Sequence, residues 1–192
     1  MGRLRIHTIE SAPEQSRPVL AAVEKSAGFR SNLLGLIAES PSATQAFAQM
    51  GPLLGQSSLS AVEREVVIMT IGWENDCSYC MAFHSYLCRK LQVPDAVVAA
   101  LRSGTALPEP RLDVLAEFTR TVVREKGYVG DDLWSRFTAQ GFTGATALDV
   151  LLALSQQVLV NYANHLGGVE LEPALKEFAW TRPSATAAAR QA

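Results

Sequence analysis

Little in this chain points toward a membrane or a polyanion. No apolar run approaches the roughly 20 residues that a bilayer span needs. Seventeen Lys and Arg against nineteen Asp and Glu leave a net charge of −2, with no basic surplus to draw nucleic acid or an anionic membrane surface. The opening residues Met1–His7 lack the apolar stretch of a secretory leader. Cysteine is scarce as well: there are three, an odd number, crowded at Cys77, Cys80 and Cys88. A disulfide framework would use even numbers spread along the chain. The cluster points instead to local redox or metal chemistry in a reducing compartment. The expectation is a cytoplasmic protein with no nucleic-acid or membrane partner. What the chain has in plenty is apolar side chains, 48% of its 192 residues. That is enough for one buried core, and the length is too short for two comfortable ones.

No segment keeps a period of two for long, so strands are not expected. The rhythm is helical: Pro18–Ala27 and Ser31–Ala38 read as helices, and Pro41 starts a third running to Leu54. Ser60 and Glu63 form a capping box that opens an apolar, buried helix through Trp73. A helix from about Cys77 to Leu91 follows, with Pro94 in the first turn of the next. Leu112, Leu115, Thr119, Val122 and Val123 make a stripe ended by Lys126-Gly127. Asp131-Asp132 can cap a short helix stopped by Gly141. Thr143-Gly144 opens a long last one, on which Leu148, Leu151, Leu152, Ser155, Leu159 and Tyr162 share a face. The fold class is all-α, one helical domain over residues 1–182, with a redox core at about 60–92 and a tail at 183–192.

The informative stretch runs from Glu65 to His84. Asp76 is a natural N-cap, which places Cys77 and Cys80 in the first turn of the following helix. Unpaired N–H groups there stabilise a thiolate. By that electrostatic argument Cys77 is the lower-pKa, more exposed thiol. At about 100° per residue, Cys77, Cys80 and His84 fall on one face, and an imidazole one turn from a thiol can exchange its proton. Glu65 shares its helix face with Val62, Ile68, Met69 and Gly72, while Glu63 and Arg64 point elsewhere. A carboxylate on so apolar a face calls for a partner. It is either an ordinary carboxylate held by an Arg across the bundle, or a general base and anchor that orients His84 beside the thiols.

The other residues carry a plainer reading beside the functional one. Cys88, one turn beyond His84, is a small core residue. Tyr79 and Phe83 pack, though Tyr79 lies between the cysteines and could line an access path. Asn161 and His165, one turn apart on the last helix, are cap or core residues or neighbours of the site. Zinc is the chemical rival. From Cys77 to Cys88 a straight helix rises about 16 Å, whereas zinc ligand atoms lie within about 2.3 Å of the ion. Four ligands from this helix are excluded, and three with a fourth from elsewhere stay open. No metal or other cofactor is expected beyond the cysteine pair itself.

The pattern Glu-x11-Cys-x-x-Cys-x3-His on two buried helices resembles the alkylhydroperoxidase D-like proteins of the carboxymuconolactone decarboxylase superfamily. Residues 28–41, Gly-Phe-Arg-Ser-Asn-Leu-Leu-Gly-Leu-Ile-Ala-Glu-Ser-Pro, look like its N-terminal helices. Asn161-Tyr-Ala-Asn-His165-Leu looks like the late-helix signature of its peroxidase-related branch. The resemblance implies an all-helical fold, a homo-oligomer and a dithiol cycle. In it Cys80 attacks a hydroperoxide and becomes a sulfenic acid, Cys77 donates a proton and closes the disulfide, and Glu65 and His84 relay protons. The implied partners are a hydroperoxide substrate and a lipoyl or thioredoxin-like dithiol reductant. The chain departs from the best-known member at Tyr79, where that protein has a second relay His. A lactone decarboxylase is the alternative enzyme, against which the two adjacent thiols count, since decarboxylation needs neither. A non-enzymatic redox-sensing oligomer is the alternative outside enzymology.

Overall fold

A computed structural model describes residues 4–183 and contains, among them, nine α-helices and no strand. The helices are α1 (Arg17–Ala27), α2 (Asn32–Ile37), α3 (Pro41–Gly55), α4 (Ala61–Glu74), α5 (Ser78–Lys90), α6 (Asp95–Ser103), α7 (Pro110–Arg124), α8 (Asp131–Ala139) and α9 (Gly144–Gly167). Short 3₁₀ turns precede α1 (Glu14–Ser16) and follow α9 (Pro173–Phe178). The tail expected at 183–192 lies, from residue 184 on, outside the described residues.

α4 is the central element. Ser60 caps it by accepting from the Glu63 N–H, and the Glu63 carboxylate accepts from the Ser60 N–H, so the expected capping box forms. Val66, Val67 and Ile71 are fully buried, as a helix apolar all round must be. α4 packs against α5, α7 and α9, and α9 in turn against α2 and α3. α2 is held by Ser31, whose hydroxyl accepts from the Leu34 N–H, and by the N-terminal segment, where the His7 N–H donates to Gly35 O. Only glycine suits position 35, because a Cβ there would stand 2.6 Å from the carbonyl oxygen of His7. No single helix among the described residues is long and apolar enough to cross a membrane.

α9 departs from a simple amphipathic reading. Leu148, Leu151, Ser155 and Tyr162 do share a face, and it is the outer one. The inner face carries Val150, Ala153 and Val160, and with them Gln156, Gln157, Asn161 and Asn164, all four polar side chains buried.

Candidate active site

The expected N-cap is displaced by one residue. α4 closes through the Cys77 N–H, which reaches back to Gly72 O at 2.9 Å, and Asp76 takes a left-handed backbone (φ 54°) in that turn. Asp76 therefore faces solvent, and Cys77 itself caps α5, its sulfur accepting the Cys80 N–H at 3.3 Å. A cysteine sulfur does here what a Ser or Asp oxygen does at most helix starts. The Cys77 thiol is lowered below its ordinary value, chiefly by the neighbouring Cys80 side chain, with burial opposing this and the Cys80 N–H and Asn164 adding to the lowering. Cys80 is raised well above the ordinary thiol value by the neighbouring Cys77 side chain, by burial and by the Cys77 charge, while Asn161 pulls it the other way. Cys77 is thus the lower-pKa thiol, as expected, but it is not the more exposed one. It is 0% exposed and absent from the adjoining cavity, whereas Cys80 lines that cavity.

The cavity has a volume of about 150 Å³. Leu33, Leu34 and Ile37 of α2, Phe47 of α3, Phe83 of α5 and Val160 of α9 supply most of its wall. Ser31, Tyr79, His84, Gln156 and Gln157 supply the polar groups. His84 Nδ1 lies 2.8 Å from Glu65 Oε2, both side chains nearly buried. A carboxylate can only accept, so Nδ1 carries the proton and Nε2 is the free nitrogen. Of the two readings of Glu65, the partner of His84 is the one found. The carboxylate held by an Arg across the bundle is Glu63, bound to Arg111 at 2.8 Å.

Tyr79 does line the cavity, and its hydroxyl donates to Glu172 Oε1 at 2.8 Å and lies 3.2 Å from Ser31 Oγ. Burial, chiefly, keeps its phenol protonated far above its ordinary range. Glu172 Oε1 also accepts from the Asn32 N–H, which ties the segment after α9 to the start of α2. Asn161 reaches the site, its Nδ2 donating to Cys80 Sγ at 2.9 Å. His165 does not: one residue past the inner face, it is exposed and stacks on Tyr162. Cys88 is a core residue, its thiol donating to Met69 Sδ at 3.6 Å and pushed up to about 12, mainly by burial. Sequence reasoning missed Asn75, Gln156, Gln157, Asn164 and Glu172. The available signal was on α9, where four amide side chains recur at helical spacing between apolar residues. Among the described residues no three His, Cys, Asp or Glu side chains are grouped to hold a metal ion.

The helical bundle that sets the Glu–His pair beside a Cys-x-x-Cys helix start has the alkylhydroperoxidase D-like fold. Residues 41–109, which carry Glu65, Cys77, Cys80 and His84, match the carboxymuconolactone decarboxylase family. A peroxidase-related protein from Ralstonia eutropha JMP134 with an alkylhydroperoxidase core superposes with a TM-score of 0.80 at 22% identity, over 92% of this chain and 93% of that one. A peroxidase-related protein from Silicibacter sp. TM1040 gives 0.75 at 19% identity, over 90% and 92%. A cysteine-to-alanine variant of the debrominase Bmp8, in complex with 2,3,4-tribromopyrrole, gives 0.77 at 14% identity, over 93% and 96%. No curated protein matches the chain by sequence.

Proposed function

We propose that this protein is a thiol-dependent peroxidase and disulfide reductase of the peroxidase-related branch, acting in the cytoplasm on organic hydroperoxides. The observation that carries the reading is Cys80 in the wall of an apolar cavity, with the Cys77 sulfur accepting the Cys80 N–H and His84, backed by Glu65, facing the same space. The Cys80 thiolate attacks the terminal peroxide oxygen. The O–O bond breaks, the alkoxide leaves as the alcohol with the proton that Cys77 gives up through His84, and Cys80 becomes a sulfenic acid. Cys77, now a thiolate, attacks the Cys80 sulfur, and the hydroxide that leaves takes a proton from solvent, giving the Cys77–Cys80 disulfide and water. A lipoyl or thioredoxin-like dithiol reduces that bond and closes the cycle, with no other cofactor. Consumption of an alkyl hydroperoxide by the wild type with each dithiol, and its loss in Cys80→Ser, is the test. Unchanged consumption in Cys80→Ser overturns the reading.

The aromatic part of the cavity wall, Phe47, Phe83 and Tyr79, favours a second substrate class, a flat halogenated ring of the kind the debrominase binds. Bromide release from 2,3,4-tribromopyrrole in the same assay separates the two. The third expectation, self-association, finds support on the outer face of α9. Leu148, Ser155 and Tyr162 recur every seven residues, and Leu152, Leu159 and Leu166 do the same four residues on. Leu148 is 66%, Tyr162 51% and Leu166 57% exposed. Such a seam, without a charge at any of the six positions, suits the same seam of a second copy. Light scattering is expected to report at least a dimer for the wild type and a monomer for Leu159→Glu/Leu166→Glu. A monomeric wild type removes the seam from the account.

A further inference from the structure

Two asparagines on the inner face of α9 each point an amide at one of the two sulfurs. Asn161 Nδ2 lies 2.9 Å from Cys80 Sγ, and Asn164 Nδ2 lies 3.7 Å from Cys77 Sγ. Their surroundings differ. Asn161 is fully buried and fixed in orientation, because its Oδ1 accepts from Asn75 Nδ2 at 2.9 Å while its Nδ2 also donates to Gln157 Oε1 at 3.1 Å. Turning that amide over would set oxygen against oxygen at Gln157 and NH₂ against NH₂ at Asn75, losing both of those bonds. Asn164 has no such lock, since its Oδ1 is buried without a partner.

We infer that Asn161 and Asn164 are positioning residues that decide which sulfur carries the charge the two cysteines share: Asn161 is a fixed donor awaiting a thiolate on Cys80, and Asn164 is a reversible amide that follows the state of Cys77. The inference rests on the dithiol reading of the site. In the resting arrangement the Cys77 sulfur accepts the Cys80 N–H and is the lower-pKa of the two, so it is the one that ionises first. Attack from the cavity needs the thiolate on Cys80. One proton passing from the Cys80 sulfur to the Cys77 sulfur achieves this with no change in total charge. After the transfer Asn161 Nδ2 already faces the new anion. Asn164, once turned over, can accept the new Cys77 S–H with the oxygen that lacks a partner. The cavity then holds a nucleophile, although the deeper sulfur is the stronger acid.

Few other charged groups bear on this balance. α5 faces Cys80 with Cys77, His84 and Tyr79, whose hydroxyl is bound to Glu172. α4 contributes Glu65, which is engaged with His84, and Asn75. α9 contributes only amides, and α1 and α2 line the cavity with apolar side chains and Ser31.

The test uses the full chain with ¹³Cβ-labelled cysteine, each Cβ shift reporting the ionisation of its own sulfur between pH 5 and 11. In Asn161→Asp, which keeps the shape and removes the donor, and in Asn161→Leu, the Cys80 midpoint is expected to rise by about one pH unit or more. The Cys77 midpoint does not rise with it. Asn75→Ala, which frees the Asn161 amide to turn, shifts Cys80 in the same direction by less. Asn164→Leu raises the Cys77 midpoint instead. A role in packing alone would lower stability and leave both midpoints in place. Cys80 midpoints within about 0.3 unit of the wild type in both Asn161 variants overturn the inference. No peroxide enters the measurement, so a wild type that consumes none would sink the proposed function and leave this result standing.

Discussion

The core of this bundle divides into two clusters that handle burial in opposite ways. Around α4, α7 and α8 the interior is mostly apolar, its few polar side chains being the hydroxyls of Thr70 and Thr119. Val66, Val67, Ile71 and Leu115 are fully buried, and Phe118, Phe137 and Phe142 stack with ring centroids 4.0 and 4.8 Å apart. Charge stays at its rim, with Glu63 on Arg111, Glu74 on Arg120 and Arg124, and Glu117 on Arg136. Where α1, α2, the start of α5 and the second half of α9 meet, the apolar residues surround two sulfurs, Tyr79, Gln157, Asn161, Asn164 and Glu172. A buried polar group destabilises unless it is bonded; Asn164 and Glu172 each keep one oxygen without a partner here, as Thr70 Oγ1 and Trp73 Nε1 do in the first cluster, but here the polar side chains are many and converge on the sulfurs. The first cluster is organised for stability. The second gives up some of that stability for a cavity and a set of aimed donors. α5 joins them, its first turn holding Cys77 and Cys80 in one cluster and its Met81 and Cys88 lying in the other.

The sharpest way to break this division is to damage one side and read the other. Phe137→Ala removes a fully buried ring from the centre of the aromatic stack and is expected to cost about 3–5 kcal/mol of stability. Measured well below its melting temperature, the variant should still form the Cys77–Cys80 disulfide at the wild-type rate. Loss of that rate in a folded variant would mean that the clusters are not separable. Glu65→Gln is the converse. It keeps the shape beside His84 and removes the carboxylate, so cysteine oxidation by peroxide should slow roughly 10²-fold, the usual scale of general acid–base assistance, with little change in urea midpoint. An unaltered rate would leave Glu65 as a structural partner of His84.

Much of the first cluster and part of the second can be read in the sequence, for identifiable reasons. The capping box at Ser60 and the Leu112–Val122 stripe are local patterns, and local patterns survive folding. Cys77, Cys80, His84 and Glu65 declare themselves by residue type and spacing on adjoining helices. The N-cap of α5 was misplaced by one residue because Cys77 outcompetes Asp76, a choice fixed by the turn that closes α4. The face of α9 was harder. Its leucines mark one side so clearly that they suggest an interior, yet the side that enters the core is the one with the amides. Periodicity reports that a helix has two faces. It does not say which of them meets the rest of the chain. Glu172 had no signal at all, since its partners, Asn32 and Tyr79, are 140 and 93 residues away.

Cys88 tests the boundary between the clusters at smaller cost. It lies two turns along the helix from Cys80, but its burial and its thiol pushed up to about 12 keep it protonated throughout the ordinary working range. Mass analysis after peroxide should find it unmodified in the native protein and reactive only in denaturant. Cys88→Ala should lose about 1 kcal/mol, the scale of one buried methylene-sized group, with no change in oxidation rate. Oxidation of Cys88 at a rate near that of Cys80 would show that the apolar cluster opens on the same timescale as the site.

The smallest expected effect concerns Glu63, two residues before Glu65 and equally buried. Burial alone would raise its carboxyl, but the Ser60 N–H, the Ser60 side chain and Arg111 outweigh it, and the value falls below the ordinary 4.5. A carboxylate lowered by folding binds its proton less tightly in the native state than in the unfolded one. Its contribution is therefore complete above about pH 4.5 and fades as the pH falls through the native value. Arg111→Gln removes one cause of the lowering, so the acid-unfolding midpoint should move upward. The shift should be only a few tenths of a pH unit, because Arg111 is nearly half exposed and solvent screens the pair. At pH 7 the variant should oxidise its cysteines at the wild-type rate. The two glutamates would then stand apart in function although one turn of α4 holds both, one setting the acid limit of the fold and the other acting on the dithiol. An acid limb that stays in place after Arg111→Gln would assign the lowering of Glu63 to the Ser60 cap alone, and the ion pair at the rim would contribute nothing measurable.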